Sequence, residues 1–275
     1  MRCITRRLVA GAVLVLAILE GGTPAMAAFD LVPVRPEERG SATALALGPA
    51  GAWRDSTGAR PRARASVFGF KPFGVREIDF AALSAEIPVN ARLRKVAVAY
   101  RRLDVLGYCE EVYSASAAFA AGDAVVTPTV RAGLAKADGD LEDWALMFDV
   151  SAEAQASAAL WIRAHLENPL GSGLLRDGSP CPARIAVGVG AAVASDLTFG
   201  IEIAKTAGYA TAVASGLEFA PARAVRLRAG LKTCPKEFTF GAGVRVGRVA
   251  FDVGSSINLA LGVTHEAGAT FFWEE

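Results

Sequence analysis

Glu237-Phe238-Thr239-Phe240-Gly241-Ala242-Gly243-Val244-Arg245 decides the reading of this chain. The even positions hold Phe238, Phe240, Ala242 and Val244; the odd positions hold Glu237, Thr239, Gly241, Gly243 and Arg245. Successive side chains of a β-strand point to opposite faces. As a strand, the stretch therefore has one apolar face and one face of polar residues and glycine.

The same period of two recurs on both sides of it. Val225, Leu227, Ala229 and Leu231 alternate with Arg226, Arg228, Gly230 and Lys232. Val249, Phe251 and Val253 alternate with Ala250, Asp252 and Gly254, and Leu197, Phe199, Ile201 and Ile203 with Thr198, Gly200, Glu202 and Ala204. Ile185, Val187, Val189, Ala191 and Val193 alternate with small residues. The spacing is roughly 10 to 13 residues with brief turns, the signature of an all-β chain.

In a soluble sandwich the apolar face is the core and the opposite face is rich in charge. Here the opposite face is Gly, Ala, Ser and Thr with single charges. Such a face suits the lumen of a modest barrel, with the apolar face turned to lipid. The expected fold is an all-β, transmembrane antiparallel up-and-down β-barrel. Its strands begin near residues 62, 76, 94, 109, 123, 143, 156, 183, 197, 209, 222, 236, 248 and 262. About fourteen is an even count, as single-chain bacterial barrels have. With both termini on the periplasmic side, connections after even strands face inward to the periplasm. These are expected to be short, near Pro88-Val89-Asn90, Ala120-Ala121-Gly122, Glu153-Ala154-Gln155, Ser195-Asp196, Pro221 and Gly247. The longest outer connection is expected over 166–182.

The N-terminal residues read as a secretory signal peptide over 1–27. Arg2, Arg6 and Arg7 form a positive start, Leu8 to Leu19 an apolar run, and Ala25-Met26-Ala27 a small-residue cleavage site. Export to the outer membrane is the expected localisation. Residues 28–61 do not alternate and are punctuated by Pro33, Pro36, Pro49, Gly40, Gly48 and Gly51. They are expected to be a short N-terminal plug or leader segment, ahead of a barrel over 62–275. At the other end, Glu266, Gly268, Phe271 and Trp273 resemble the C-terminal targeting signal of outer-membrane barrels, followed here by Glu274 and Glu275. That resemblance implies the barrel-assembly machinery and outer-membrane lipid as partners.

Without residues 1–27 the chain carries 26 basic and 27 acidic residues, so no basic excess points to nucleic acid. Cys109, Cys181 and Cys234 then remain, an odd number. Cys181 and Cys234 each precede a proline at the start of a strand, and a Cys181–Cys234 disulfide between outer loops is one arrangement, free thiols the other. His165 and His265 are too few and too isolated for a metal site. No metal, cofactor or catalytic set is expected. Glu202, Arg226, Arg228, Arg245 and Asp252 occupy the polar face and are expected to line or narrow the lumen, pairing with opposite charges there. Trp144, Trp161 and Trp273 are candidates for aromatic girdles, although the alternation turns Leu160 and Ile162 outward and leaves Trp161 on the wrong face or in a bulge.

Thr239 to Trp273 resembles the C-terminal hairpins of PorV/PorQ-type outer-membrane proteins, relatives of the FadL-type transporters. The Leu261-Gly262-Val263-Thr264-His265 step into the last strand carries the likeness. Gly107-Tyr108-Cys109-Glu110-Glu111 and Ser41 to Gly51 echo the family more weakly. The resemblance implies a barrel of about fourteen strands. It implies transport of a small hydrophobic solute, or alternatively an accessory, docking role in protein secretion or surface attachment.

Overall fold

The computed structural model describes residues 63–75, 77–137, 141–171 and 181–273. The expected signal peptide over 1–27, the expected plug or leader over 28–61, and Glu274–Glu275 lie outside these residues. Alternation produces strands wherever it was read. They are β1 (Arg64–Lys71), β2 (Ile78–Pro88), β3 (Leu93–Val105), β4 (Tyr108–Ala121), β5 (Ala124–Ala137), β6 (Leu141–Gln155), β7 (Leu160–Glu167), β8 (Arg184–Ala192), β9 (Leu197–Thr206), β10 (Ala212–Ala222), β11 (Val225–Lys232), β12 (Glu237–Val246), β13 (Val249–Asn258) and β14 (Gly262–Phe272). Each strand pairs antiparallel with its neighbours in sequence, and β1 pairs with β14, so the sheet closes into a fourteen-strand barrel. Closure removes the exposed edges that an open sheet would leave.

The largest offset from expectation is at β7, which starts at Leu160 rather than near 156. Glu153-Ala154-Gln155 is the end of β6, and the turn falls on Ala156-Ser157-Ala158-Ala159 instead. There the Ala156 and Ser157 amides both donate to the Leu160 carbonyl oxygen, at 2.8 and 3.1 Å. Small residues fit a strand and a turn equally well, so alternation alone does not locate the boundary.

Connection length separates the two ends of the barrel less cleanly than expected. The longest connection does run from β7 to β8, after an odd strand. Yet β3 and β4, joined at that same end, are linked by Leu106-Gly107 alone. Both residues have positive φ, +38° and +82°. That is the backbone of a two-residue hairpin turn whose twist matches the strands it joins.

The alternation assigns the two faces. Phe199, Ile201, Ile203, Phe238, Phe240, Phe251 and Val253 point outward and are exposed, while Glu202, Thr239 and Asp252 between them are buried inward. Phe271 and Trp273 point outward with ring centroids 4.8 Å apart and nearly perpendicular. Tyr100 and Tyr113 form a second outward pair across β3 and β4, at 5.1 Å. Trp144 is also outward, 71% exposed.

Trp161 departs from this aromatic set. It is 3% exposed and faces the lumen, where its indole lies against Gly190. A Cβ on Gly190 would stand 2.3 Å from two indole atoms, so only glycine admits the ring. The β6–β7 and β7–β8 ladders run without a bulge, and Leu160 and Ile162 stay on the outward parity.

The inner surface is uneven around the circumference. On the β1–β6 side it carries apolar groups: Phe68, Phe70, Phe80 and Ala82, and separately Val112, Ala135, Ala145 and Met147. On the β8–β11 side the register places Gly190, Gly200, Gly216 and Gly230 side by side on four consecutive strands. A bare backbone there leaves room for long side chains from adjacent positions to lie against the wall.

Candidate functional site: an ion-paired lumen

A charge on an inward strand position leaves bulk water on one side only, and it is stable there when a partner satisfies it. Three such sets hold inward charges among the described residues of this barrel. On β10, β11 and β13, Arg228 donates to Glu218 (Nε–Oε2, 2.9 Å) and to Asp252 (Nη1–Oδ1, 2.7 Å), and Arg226 pairs with the other oxygen of Glu218. Arg228, Glu218 and Asp252 are each at most 6% exposed. To reach Asp252, the Arg228 guanidinium crosses β12 where the register sets Gly241 beside it. A larger residue at Gly241 would stand in its way.

A second set spans β5 to β9. Arg131 meets Asp149 through two contacts, at 2.6 and 2.7 Å. The register then sets Asp149 directly opposite Glu167. Two carboxylates side by side repel, and the surroundings offset this. Asp149 accepts the Asn168 amide at 3.0 Å as well as Arg131. Glu167 accepts Arg184 at 2.7 Å, and Arg184 reaches on to Glu202 at 3.3 Å. His165 Nδ1 lies 3.6 Å from Glu167. A third, smaller set on β1–β3 holds Glu86 between Arg64 (3.0 Å) and Lys95 (3.3 Å).

All five residues read from sequence as lumen-lining thus point inward, but they do not form one group. Arg226, Arg228 and Asp252 meet in the first set; Glu202 belongs to the second. Arg245 stands apart, its guanidinium 4.4 Å from the centroid of the inward Phe272 ring and its Nε donating to the Gly247 carbonyl at 3.2 Å. Of the residues that resemble a C-terminal targeting signal, Glu266 faces the lumen against Gly254, while Phe271 and Trp273 face outward.

The acceptors Glu218, Asp149 and Glu167, and the donors Arg131 and Arg184, escaped the sequence reading. A signal for them existed. Glu218 stands between Leu217 and Phe219, Asp149 between Phe148 and Val150, and Arg131 between Val130 and Ala132. A lone charge between two outward apolar residues is an inward charge.

The cysteines are free thiols, and the Cys181–Cys234 pairing is not formed. Cys181 is buried inside the barrel against Val112, Ala135, Ala145 and Met147, on the β4–β6 wall. Cys234 is exposed in the turn between β11 and β12. The two sulfurs belong to different walls. Burial pushes the Cys181 thiol up to about 11, which keeps it protonated and unreactive at neutral pH.

A serine–histidine contact also lies beyond what the sequence suggested. Ser255 and His265 are cross-strand partners on the outward face, with Oγ and Nδ1 2.8 Å apart. As expected for neighbours on a strand, Glu266 points the other way. Among the described residues no cluster of His, Cys, Asp and Glu has the geometry to hold a metal.

No protein-family model and no curated protein matches the chain. Solved structures do. The outer membrane protein Omp33 of Acinetobacter baumannii superposes with a TM-score of 0.50 over 77% of this chain and 98% of that one, at 9% identity. KdgM porin (TM-score 0.44, 8% identity, 77% and 99% covered) and a triple mutant of Rhodopseudomonas blastica porin (0.45, 9%, 78% and 99%) match more loosely. At such identity the likeness to Omp33 is one of fold, and the fold is a closed antiparallel barrel of the outer-membrane porin type.

Proposed function

We propose that this chain is an outer-membrane channel for small polar solutes, with paired charges setting the width and character of its lumen. The observation that carries the proposal is the division of faces. Outward positions are apolar and exposed, as lipid requires, while buried inward positions hold Arg131–Asp149, Glu167–Arg184–Glu202 and Glu218–Arg228–Asp252. Membrane barrels have this inside-out distribution. The signal-peptide reading of 1–27 and the C-terminal Phe271 and Trp273 support assembly in the outer membrane.

The resemblance to PorV/PorQ- and FadL-type proteins favours a hydrophobic solute or an accessory docking role. The lumen favours a polar one. A hydrophobic molecule passing these charged groups has no hydrogen bonds to offer them. The Phe68–Phe70–Phe80 patch is on β1 and β2, whereas the Val112–Met147 patch adjoins an ion pair, Met147 being the cross-strand partner of Arg131.

Reconstitution separates the readings. Full-length barrel in liposomes is expected to give swelling with arabinose and none of the uptake of oleate that a hydrophobic conduit would give. Oleate uptake without swelling would overturn the polar reading. Neither response, from protein that still shifts between unheated and boiled lanes in SDS, would favour a docking barrel.

A further inference from the structure

The turns that follow even strands carry charges of both signs, and the signs are kept apart. Asp123 lies between β4 and β5 and Asp196 between β8 and β9, while Ala156-Ser157-Ala158-Ala159 between β6 and β7 is uncharged. Arg223 lies between β10 and β11, Arg248 between β12 and β13, and Arg92 between β2 and β3. All five charged residues are exposed. Closure through the β1–β14 seam makes the three arginine hairpins consecutive around the barrel. One half of this rim is an arc of arginines, and the other half is acidic.

The arginines stand at the edge of the apolar belt. Leu217 and Phe219 precede Arg223, and Val244 and Val246 precede Arg248, all four outward and exposed. On β3 the exposed Arg94 continues the outward parity of Val96 and Val98. The turns are too short to carry the guanidiniums far from that edge. Arg223-Ala224 and Gly247-Arg248 are two-residue links, and Asn90 Oδ1 tightens the third turn by accepting the Arg92 and Leu93 amides at 2.9 and 2.8 Å. Trp273 stands in the same arc, outward, with its amide on the Ala63 carbonyl.

At the opposite end of the barrel the outward cations are neutralised within the chain. Lys71 pairs with Asp79 at 2.8 Å and Arg102 with Asp104 at 2.7 Å. Among the described residues no carboxylate stands within ion-pair distance of Arg92, Arg94 or Arg223. An anion from outside the chain suits them. Where an apolar belt ends in a bilayer, that anion is a lipid phosphate, which the planar guanidinium fork matches with two parallel hydrogen bonds. A zwitterionic headgroup brings its own cation into the arc, and an anionic headgroup does not.

We propose that the rim running from β10 through the seam to β3 binds anionic phospholipid headgroups of the periplasmic leaflet, and that the Asp123–Asp196 half of the same rim does not. The surface rests on the membrane reading above; the separation of the charges does not.

The test uses the full-length barrel in vesicles of phosphatidylcholine and phosphatidylglycerol, with one or the other lipid brominated on its acyl chains to quench nearby tryptophan. Both leaflets have one composition, so the direction of insertion does not matter. Trp53→Phe with Trp144→Phe leaves Trp273 as the outward reporter, because Trp161 is enclosed in the lumen. Adding Trp273→Phe and Val193→Trp moves the reporter to the exposed turn that holds Asp196. At Trp273, phosphatidylglycerol is expected to be favoured over phosphatidylcholine by about threefold in low salt. The preference should fall toward none in about 1 M salt, where screening acts within about 3 Å. With Val193→Trp no preference is expected. Arg92→Gln, Arg94→Gln, Arg223→Gln and Arg248→Gln together should remove the preference at Trp273 from protein that still shifts between unheated and boiled lanes. Equal preference at the two reporter positions would overturn the inference, as would a preference that survives the four substitutions. So would no preference at Trp273, the result expected if Glu274 and Glu275 neutralise the arc themselves. Protein that never enters the vesicles would overturn the membrane reading, and the lipid surface with it.

Discussion

Arg228 shows how much one side chain organises in this lumen. It holds two carboxylates from different strands, Glu218 on β10 and Asp252 on β13, at a site where all three are almost fully buried. Removing the guanidinium leaves two buried carboxylates without it, of which Glu218 keeps its pair with Arg226. Breaking a buried ion pair by deleting one partner costs about 3–5 kcal/mol, whereas replacing the whole set by apolar groups of similar volume is often neutral. Arg228→Met alone is therefore expected to lower the urea midpoint of the detergent-folded barrel. Replacing the whole set, Arg226→Met, Arg228→Met, Glu218→Gln and Asp252→Asn, is expected to recover most of the loss. If this fourfold variant is less stable than the single one, the set is held by something other than charge compensation. The same residue-scale logic explains what was hidden in the sequence. Arg226, Arg228 and Asp252 were recognisable as inward by parity. Their acceptor Glu218 was recognisable by the same rule but sits on a strand whose alternation is weakened by Ala212, Ala214, Ser215 and Gly216.

At the scale of the strand, alternation does nearly all the work, and its strength varies along the chain. β12 alternates without interruption, and its outward Phe238 and Phe240 are 50% and 48% exposed while Thr239 between them is 5% exposed. The barrel was legible there from nine residues. β7 was harder, because Trp161 looks like a girdle aromatic yet faces inward, and only the glycine opposite it on β8 makes room for it. A single strand cannot reveal that. The pairing of Trp161 with Gly190 is a property of two strands separated in sequence by the whole β7–β8 connection. The asymmetry of the two faces yields a direct expectation for β12. Phe240→Arg puts a cation on the lipid face and is expected to destabilise the barrel by about 2–4 kcal/mol if the site lies near the bilayer midplane. Thr239→Ser on the inner face should change stability little. Folded fraction in phospholipid vesicles, read from the heat-modifiable band, checks both. Equal losses at 239 and 240 would contradict the assignment of faces.

For the whole molecule the decisive contact is the seam between β1 and β14, which joins residues about as far apart as the described chain allows. Ser66 and Thr270 are cross-strand partners there, with hydroxyl oxygens 2.9 Å apart and both residues buried. Beside them Arg64 is paired with Phe272, and the Trp273 amide donates to the Ala63 carbonyl at 2.9 Å. An even strand count made closure an expectation from sequence, but which residues meet across the seam depends on register, and register is a sum of every turn and bulge between β1 and β14. The bulges in the β3–β4 and β10–β11 ladders are not visible in the alternation. Directly opposed residues in an antiparallel pair have Cα atoms roughly 4.5–5.5 Å apart, within the range a disulfide accepts. Ser66→Cys with Thr270→Cys is therefore expected to form a bond on mild oxidation of the folded barrel, best done with Cys109, Cys181 and Cys234 changed to alanine so that no other thiol competes. The bond would close a loop of about 200 residues, and a constraint on so long a loop restricts the unfolded chain by several kcal/mol in the entropic account. Boiled, non-reduced protein should then migrate faster than its reduced form, and the temperature at which the unheated band converts should rise. Oxidation that links Ser66→Cys to a cysteine at 269 or 271 in preference to 270 would shift the register of the seam, and with it the face assigned to every residue of β14.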